Sequence, residues 1–255
     1  MKIRVLGCHG SQLPDFNTTS FLIENRILID AGTVTPVLSL RQQLFIDYVF
    51  VTHAHLDHVR DIVFLVDNLY YAGRKRPLTV VSSKGIIDSL RRHLFNNVIW
   101  PDFSRIPSVA EPLLKFQTVS PGRKKQFGGF QVKALQLDHT VESLGFLIEH
   151  GKKAVLFLGD TGPTENVWKA AAAVEGLKAV FLETSLPGGM QETADKTGHL
   201  TPVTLAAELK KMNRIEPDIY IHHIKPQYAS AIRREILSLR DKKIHIVKDG
   251  QVIRL

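Results

Sequence analysis

Short apolar segments near the start and the end of the chain have the patterns of β-strands. Residues 2–6 and 130–137 alternate apolar and polar side chains, which predicts strands with one buried face. Residues 48–51 are continuously apolar, as expected of a strand buried on both faces. Further strands are predicted at residues 19–23, 26–30, 78–81, 144–148, 154–158, 179–182 and 219–222.

Helices are predicted between these strands, at residues 61–71, 86–95, 166–174, 202–212 and 229–240. Thr201 and Pro202 form a typical helix start, as N-cap and first-turn residue. Residues 96–112 contain three prolines and are expected to be irregular, and hairpins are expected to turn at residues 24–25 and 249–250. Strands with interleaved helices predict a layered α/β protein, which we expect to form one domain over residues 1–255.

Composition excludes several classes of protein. With 44% hydrophobic and 23% charged residues, the chain is neither disordered nor of low complexity. Its one cysteine, Cys8, excludes a disulfide framework and a cysteine-rich zinc module, so we expect any metal site to use His, Asp and Glu. We see no signal peptide and no apolar run long enough to span a membrane, so we expect a cytoplasmic protein with no membrane partner.

The charge of the chain is compatible with an anionic ligand but does not identify one. There are 33 Lys and Arg residues against 25 Asp and Glu residues, which gives a net charge of +8. The basic residues occur as scattered pairs and triplets and form no long block, so a solvated surface explains them as well as a phosphate-bearing partner does.

The strongest chemical signal is the segment Thr52-His53-Ala54-His55-Leu56-Asp57-His58, which directly follows the strand at 48–51. In an extended or turning loop, His53 and His55 project to one side and can bind one metal ion. Asp57 and His58 then point toward a neighbouring site. Imidazole and carboxylate groups are the ligands of Zn²⁺ and similar divalent ions. The segment therefore predicts a metal site.

Three other predicted strands lead into further donors. Residues 130–137 lead to Asp138-His139, residues 154–158 lead to Asp160, and residues 219–221 lead to His222-His223. Since α/β proteins build their sites at strand ends, these donors and the histidine-rich segment together predict a two-metal site.

Two adjacent histidines compete for one position in this site. We choose His223 because it shares parity with the apolar Ile219 and Ile221, and His222 is left to support a ligand or to pack. The remaining histidines outside the predicted site belong to no grouping that we recognise: His9, His93, His150 and His245.

In order along the chain, these donors resemble those of the metallo-β-lactamase superfamily: His53, His55, Asp57, His58, His139, Asp160 and His223. The resemblance implies a four-layer αββα sandwich, with two sheets between helices. It implies that the first metal is held by His53, His55 and His139. It implies that the second is held by Asp57, His58 and His223, with Asp160 bridging the two. Asp30 and Thr52 are expected to orient the metal-binding segment.

Three segments favour phosphodiesters among the substrates of this superfamily. They are Gly198-His199-Leu200-Thr201-Pro202, His223-Ile224-Lys225-Pro226, and His139-Thr140 followed by Ser143-Leu144-Gly145-Phe146. These segments resemble the class II cyclic-nucleotide phosphodiesterases first and ribonuclease Z second. The long Gly/Pro-rich insertion with which ribonuclease Z binds tRNA is not evident in the sequence.

The resemblance implies hydrolysis of a small phosphodiester such as 3′,5′-cyclic AMP or GMP, by a hydroxide shared between two divalent ions. Zinc is expected, with manganese, iron or cobalt as alternatives. Asp57 would orient the hydroxide. His199 would protonate the leaving oxygen or hold the phosphate, unless it serves only the helix entry. Lys225 is a candidate phosphate contact, although a plain surface lysine is the simpler interpretation.

Other functions stay open at this point. An RNA phosphodiesterase similar to ribonuclease Z is one, and a hydrolase of lactones, thioesters or β-lactams on the same site is another. A binding module with an inactive site is the third, and RNA is a less favoured partner than a small molecule. The resemblance also implies a homodimer, because relatives of this kind often pair.

Overall fold

The computed structural model describes residues 1–212 and 216–255. Its strands in chain order are β1 (Lys2–Gly7), β2 (Ser20–Ile23), β3 (Ile27–Ile29), β4 (Tyr48–Phe50), β5 (Leu78–Ser82), β6 (Leu114–Thr118), β7 (Lys124–Phe127), β8 (Phe130–Leu137), β9 (Ser143–His150), β10 (Lys153–Leu158), β11 (Leu177–Glu183), β12 (Asp218–His222), β13 (Ile244–Ile246) and β14 (Val252–Arg254). Its helices are α1 (Leu40–Gln43), α2 (Leu56–Val59), α3 (Ile62–Tyr71), α4 (Lys84–His93), α5 (Asn166–Ala172), α6 (Gln191–Thr197), α7 (Pro202–Lys210) and α8 (Ala229–Ser238).

Two mixed sheets contain these strands. The first has the order β14-β1-β2-β3-β4-β5-β6 and the second the order β13-β12-β11-β10-β9-β8-β7. In the second sheet, β8 and β10 both lie antiparallel to β9, and β12 continues the parallel run from β10 through β11. Strands β8, β10 and β12 therefore end at the same edge of the sheet.

Aromatic rings fill the space between the two sheets. The ring of Phe21 on β2 lies 5.3 Å from that of Phe157 on β10 and 5.1 Å from that of Phe181 on β11. Phe50 on β4 meets Phe146 on β9 at 5.3 Å. Such tilted and edge-on pairs add to the free energy gained from burying the rings.

Helices cover the outer faces of both sheets. Apolar residues of the helices pack in the same buried clusters as residues of the strands. Leu65 and Leu69 of α3 and Leu90 of α4 pack with the first sheet. Trp168 of α5 and Ile232 of α8 pack with the second. The expected αββα sandwich is confirmed, and none of the described helices is long and apolar enough to cross a membrane.

The expected hairpin at residues 249–250 is wrong. Strand β13, before the turn, pairs with β12 in the second sheet, whereas β14, after it, pairs with β1 in the first. The turn therefore carries the chain from one sheet to the other. A turn signal between two apolar runs does not reveal this, because each run finds its partner strand far away in the sequence.

The two sheets approach each other closely at the end of β4 and the start of β9. The amide of Leu144 donates to the carbonyl of Thr52 at 2.9 Å. A Cβ atom on Gly159, directly after β10, would lie 2.6 Å from the Cβ of Thr52. Glycine is required there, because a side chain would collide with Thr52 and with the carbonyl of Leu144.

Candidate metal centre

The histidine-rich segment begins as the expected extended loop and continues as a short helix. His53 and His55 lie in extended backbone after β4, and His55 directly precedes α2. Helix α2 contains both Asp57 and His58, and the ring centroid of His58 lies 4.1 Å from that of His53. His53 and His58 are completely buried, so the chain holds two imidazoles of this segment out of contact with water.

The structure brings the donors from the four strand ends together. One group consists of His53, His55, His139 and Asp160, and a second consists of Asp57, His58 and His223. In each group, one donor atom of every residue lies within 4.8 Å of the others. Asp160 joins the groups, because its carboxylate lies 3.6 Å from Nε2 of His53 and 3.5 Å from Nε2 of His58.

Three of the imidazoles have a hydrogen-bond partner on the ring nitrogen that faces away from the cluster. Nδ1 of His58 contacts Oδ2 of Asp30 at 2.7 Å, and Nδ1 of His139 contacts the carbonyl of Gly198 at 2.8 Å. Nδ1 of His223 contacts Oγ of Ser185 at 2.8 Å. This is the arrangement that fixes the ring of a metal-binding histidine.

Asp30 also fixes the segment that precedes the histidines. Its carboxylate accepts hydrogen bonds from the amide and the hydroxyl of Thr52, both at 2.8 Å. Thr52 Oγ1 in turn lies 3.0 Å from Nδ1 of His53. Asp30 and Thr52 thus have the positions expected of residues that orient the donors.

The inner faces of the donors fit divalent cations. Nε2 of His53 and Oδ1 of Asp160 are buried without a hydrogen-bond partner among the described residues, and both point into the cluster. Nε2 of His58 and Nε2 of His223 lie only 3.1 Å apart, and both atoms also lie near Asp160. Buried polar atoms without partners are costly, and a cation at this place would satisfy them.

Charges in the cluster keep its acid in the ligand form. Burial alone would raise the pKa of Asp57, but its hydrogen bond with His223 and the charges of His58 and His223 lower the pKa below its usual value. Burial lowers the pKa of His53 well below its usual value, and His58 lowers it further. An ionised carboxylate and a neutral imidazole are the forms that bind metal ions.

His199 lies beside the cluster and has a partner that the sequence did not indicate. Its Nδ1 is 2.8 Å from Oε1 of Glu183, a completely buried residue at the end of β11. Burial alone would lower the pKa of His199, but the Glu183 carboxylate outweighs burial and raises it. Ser185 bonds to Oε2 of Glu183 and contacts His223, so it links this pair to the donors.

The remaining predicted residues have different surroundings. His223 follows the end of β12 with a left-handed φ of 60°, so a backbone turn, and not strand parity, directs it into the cluster. His222 packs edge-on against Phe21, with ring centroids 5.2 Å apart, and burial lowers its pKa to about 3. Lys225 donates to the carbonyl of Gly10 at 2.8 Å.

An open cavity of about 510 Å³ adjoins the donors. His55 and Leu56 form its side nearest the cluster, and Ser89, Leu90 and His93 of the α4 region line the rest. Its walls are mostly apolar with a few polar groups, the usual character of a site for a small organic molecule.

The chain is similar in sequence to a known protein family and to several named proteins. The family profile described as "Beta-lactamase superfamily domain" matches residues 25–224. A "Probable 3′,5′-cyclic-nucleotide phosphodiesterase" of Yersinia pestis is 28% identical, over 93% of this chain and 82% of that protein. A "3′,5′-cyclic-nucleotide phosphodiesterase" of Aliivibrio fischeri is 26% identical, over 95% and 88%. "Ribonuclease Z" of Clostridioides difficile is 28% identical, over 56% and 48%.

Solved structures show the same fold. Unliganded yeast PDE1 has a TM-score of 0.86 and 19% identity, over 100% of this chain and 99% of that one. Human tRNase Z, short form, has a TM-score of 0.73 and 18% identity, over 100% and 99%. The profile match covers most of the chain. The chain belongs to the β-lactamase superfamily.

Proposed function

We propose that the chain is a metal-dependent phosphodiesterase that hydrolyses a 3′,5′-cyclic nucleotide. The observation that carries this proposal is the position of His199 and its partner Glu183 beside two donor groups that share Asp160. Two relatives that match more than nine tenths of the chain carry this activity in their names, in agreement with the expectation from the motifs.

We propose that the ligands of the first ion are His53, His55 and His139, and those of the second Asp57, His58 and His223, with Asp160 shared. When bound, two divalent ions activate water as a nucleophile and neutralise phosphate charge. Zinc suits imidazole and carboxylate ligands, and manganese or iron are the alternatives. Asp57 would also orient the attacking water.

His199 supplies the proton for the leaving oxygen. Its Nδ1 is engaged by Glu183, so Nε2 is the ring nitrogen that remains to donate. The Glu183 carboxylate stabilises the imidazolium form, because the two groups are in contact and shielded from water. The adjoining cavity accepts the nucleoside, and Lys225 stands near Gly10 as a candidate phosphate contact.

Substrate turnover tests the proposal. The protein loaded with zinc or manganese should hydrolyse 3′,5′-cyclic AMP or GMP faster than 2′,3′-cyclic AMP, a precursor tRNA or a lactone. His199→Ala should keep the bound metal and lower kcat by about 100-fold or more, as expected for loss of a general acid. His150→Ala, which alters a histidine outside the site, serves as the control. Unchanged turnover in His199→Ala would remove this residue from the mechanism.

RNA is the second candidate substrate, because some of the relatives are named ribonuclease Z and the chain carries a net charge of +8. Cleavage of precursor tRNA with binding that weakens steeply as salt rises would favour it over a cyclic nucleotide. The cytoplasmic location, the homodimer and the single domain over residues 1–255 stay predictions.

A further inference from the structure

A second group of donors lies where the chain crosses between the sheets. Cys8 and His9 follow β1, and Asp249 lies in the turn between β13 and β14. The Cys8 sulfur is 3.2 Å from Oδ1 of Asp249 and 3.8 Å from Nδ1 of His9, and these nitrogen and oxygen atoms are 3.4 Å apart. We expected His9 to belong to no grouping and Cys8 to bind no metal, and the fold brings both next to Asp249.

The three distances suit ligands of one metal ion. Bonds to zinc of about 2.3 Å from sulfur and about 2.0–2.1 Å from nitrogen and oxygen place tetrahedral ligand atoms roughly 3.3–3.6 Å apart. The distances in the structure, 3.2, 3.4 and 3.8 Å, agree with this to within about 0.4 Å. As a hydrogen bond, the contact between His9 and Asp249 would be long.

The donors are held in place by groups around them. Oδ1 of Asp249 accepts the amide of Cys8 at 3.0 Å, and Oδ2 accepts the amide of Asn17 at 2.8 Å. The ring of His9 packs edge-on against Phe16, with centroids 4.8 Å apart. The carboxylate and the imidazole are thus oriented before an ion arrives, as metal ligands are by their neighbours.

The donor types of the group select the kind of metal ion, and binding of that ion would displace the proton of the Cys8 thiol. Thiolate, imidazole and carboxylate together suit Zn²⁺ and disfavour Mg²⁺ or Ca²⁺. A cavity of about 300 Å³ lined by all three residues offers a path of entry and room for a fourth ligand.

We infer that Cys8, His9 and Asp249 form a third metal site, which binds Zn²⁺ or another thiophilic divalent cation. The site is structural, since it ties the loop after β1 to the turn between the sheets. The loop in turn contacts the main cluster, because the carbonyl of Cys8 accepts the amide of His223 at 2.7 Å. A cation at Cys8 therefore steadies the backbone where His223 takes its left-handed conformation.

Cobalt titration of the metal-free, full-length protein tests this site separately from the main cluster. Cys8 is the only cysteine of the chain, so a thiolate-to-cobalt charge-transfer band in the near ultraviolet can arise only from this residue. Because the main cluster would take up two further ions, we expect the band to reach saturation by three cobalt ions per chain, with the intensity of one thiolate-bound cobalt. This titration uses the wild-type protein, so its result does not depend on whether a variant folds.

Variants then show whether the three residues act together. Cys8→Ser should abolish the band and leave the other bound ions in place, and His9→Ala and Asp249→Asn should each weaken cobalt binding at this site about tenfold or more. His150→Ala is the matched control and should keep the wild-type titration. Absence of the band with cobalt in excess, or a band unaffected by His9→Ala and Asp249→Asn, would overturn the inference.

Discussion

The contact between Glu183 and His199 determines how the proposed acid works. Both residues are almost out of contact with water, so the charge of Glu183 acts on the imidazole with little screening. The pKa of His199 is raised because the carboxylate stabilises the protonated ring more than burial destabilises it. A residue that needs its proton for catalysis gains from this partner at neutral pH.

Replacing Glu183 should therefore change the pH dependence of the reaction. Glu183→Gln lowers the pKa of His199, and activity that requires protonated His199 is lost as the pH rises through this pKa. We expect the alkaline limb of the kcat profile to move to lower pH, with kcat reduced about 10- to 100-fold near neutrality. Glu208→Gln is the control, because Glu208 is as completely buried but bonds to Trp168 and Thr164. An unmoved alkaline limb in Glu183→Gln would contradict this role.

Asp30 is expected to support metal binding indirectly, since it contacts the proposed ligand His58 without being a ligand itself. Asp30→Asn keeps a side chain that tolerates the positive φ of 56° at this position but removes the charge opposite His58. We expect metal affinity to fall about 10- to 100-fold, measured by competition with a chelator. Asp47→Asn, which alters an ion pair with Arg26, should leave the affinity unchanged. Equal affinities in both variants would show that Asp30 does not support the site.

At the scale of elements, the sequence predicts best where burial imposes a long pattern. Strand β8 was predicted to the residue, because it alternates over its whole length with one face buried. Strands β6 and β7 were missed. Each lies at an edge of its sheet, and the pattern is short: β6 alternates only over residues 114–117, and β7 has a single apolar residue, Phe127.

The same contrast holds for the site. The donors from His53 to His223 were found because histidine and aspartate are conspicuous after apolar strands. Glu183 was missed because it ends an ordinary apolar strand and belongs to no motif. The grouping of Cys8 with Asp249 was missed because 241 residues separate them, and only the crossing between sheets brings them together.

The N-cap of α7, which lies close to the site, allows a test of how much one local hydrogen-bonding motif stabilises the fold. Thr201 accepts hydrogen bonds from the amides of Val203 and Thr204 and forms a capping box with Thr204, as its predicted N-cap role requires. We expect Thr201→Ala to lower the free energy of unfolding by about 1 kcal/mol in urea, and Thr201→Ser to restore most of it. Ser39→Ala at the exposed four-residue helix α1 is the control and should cost less. Equal losses would mean that the cap at α7 adds nothing beyond an exposed one.

At the scale of the whole molecule, the aromatic rings between the sheets hold the two halves of the site in register. Phe21 contacts rings from two strands of the opposite sheet, so Phe21→Ala leaves a cavity between them. We expect a loss of about 3–5 kcal/mol in the free energy of unfolding. Phe45→Ala, at a residue that is 53% exposed, should change it by less than about 0.5 kcal/mol. Comparable losses from the two variants would contradict the interlocked arrangement of the sheets.

The crossing of the chain between the sheets also affects when the first sheet can be completed during synthesis. Strand β1 has β2 on one side, and on its other side, within the described residues, it pairs with β14, with Lys2 opposite Arg254. During synthesis, that flank of the first sheet stays bare until residues 252–254 have left the ribosome. Contacts so distant in sequence form slowly, and a bare strand edge attracts other chains. Truncation of the last few residues should therefore reduce the yield of unaggregated protein during expression, even though every predicted catalytic group is retained.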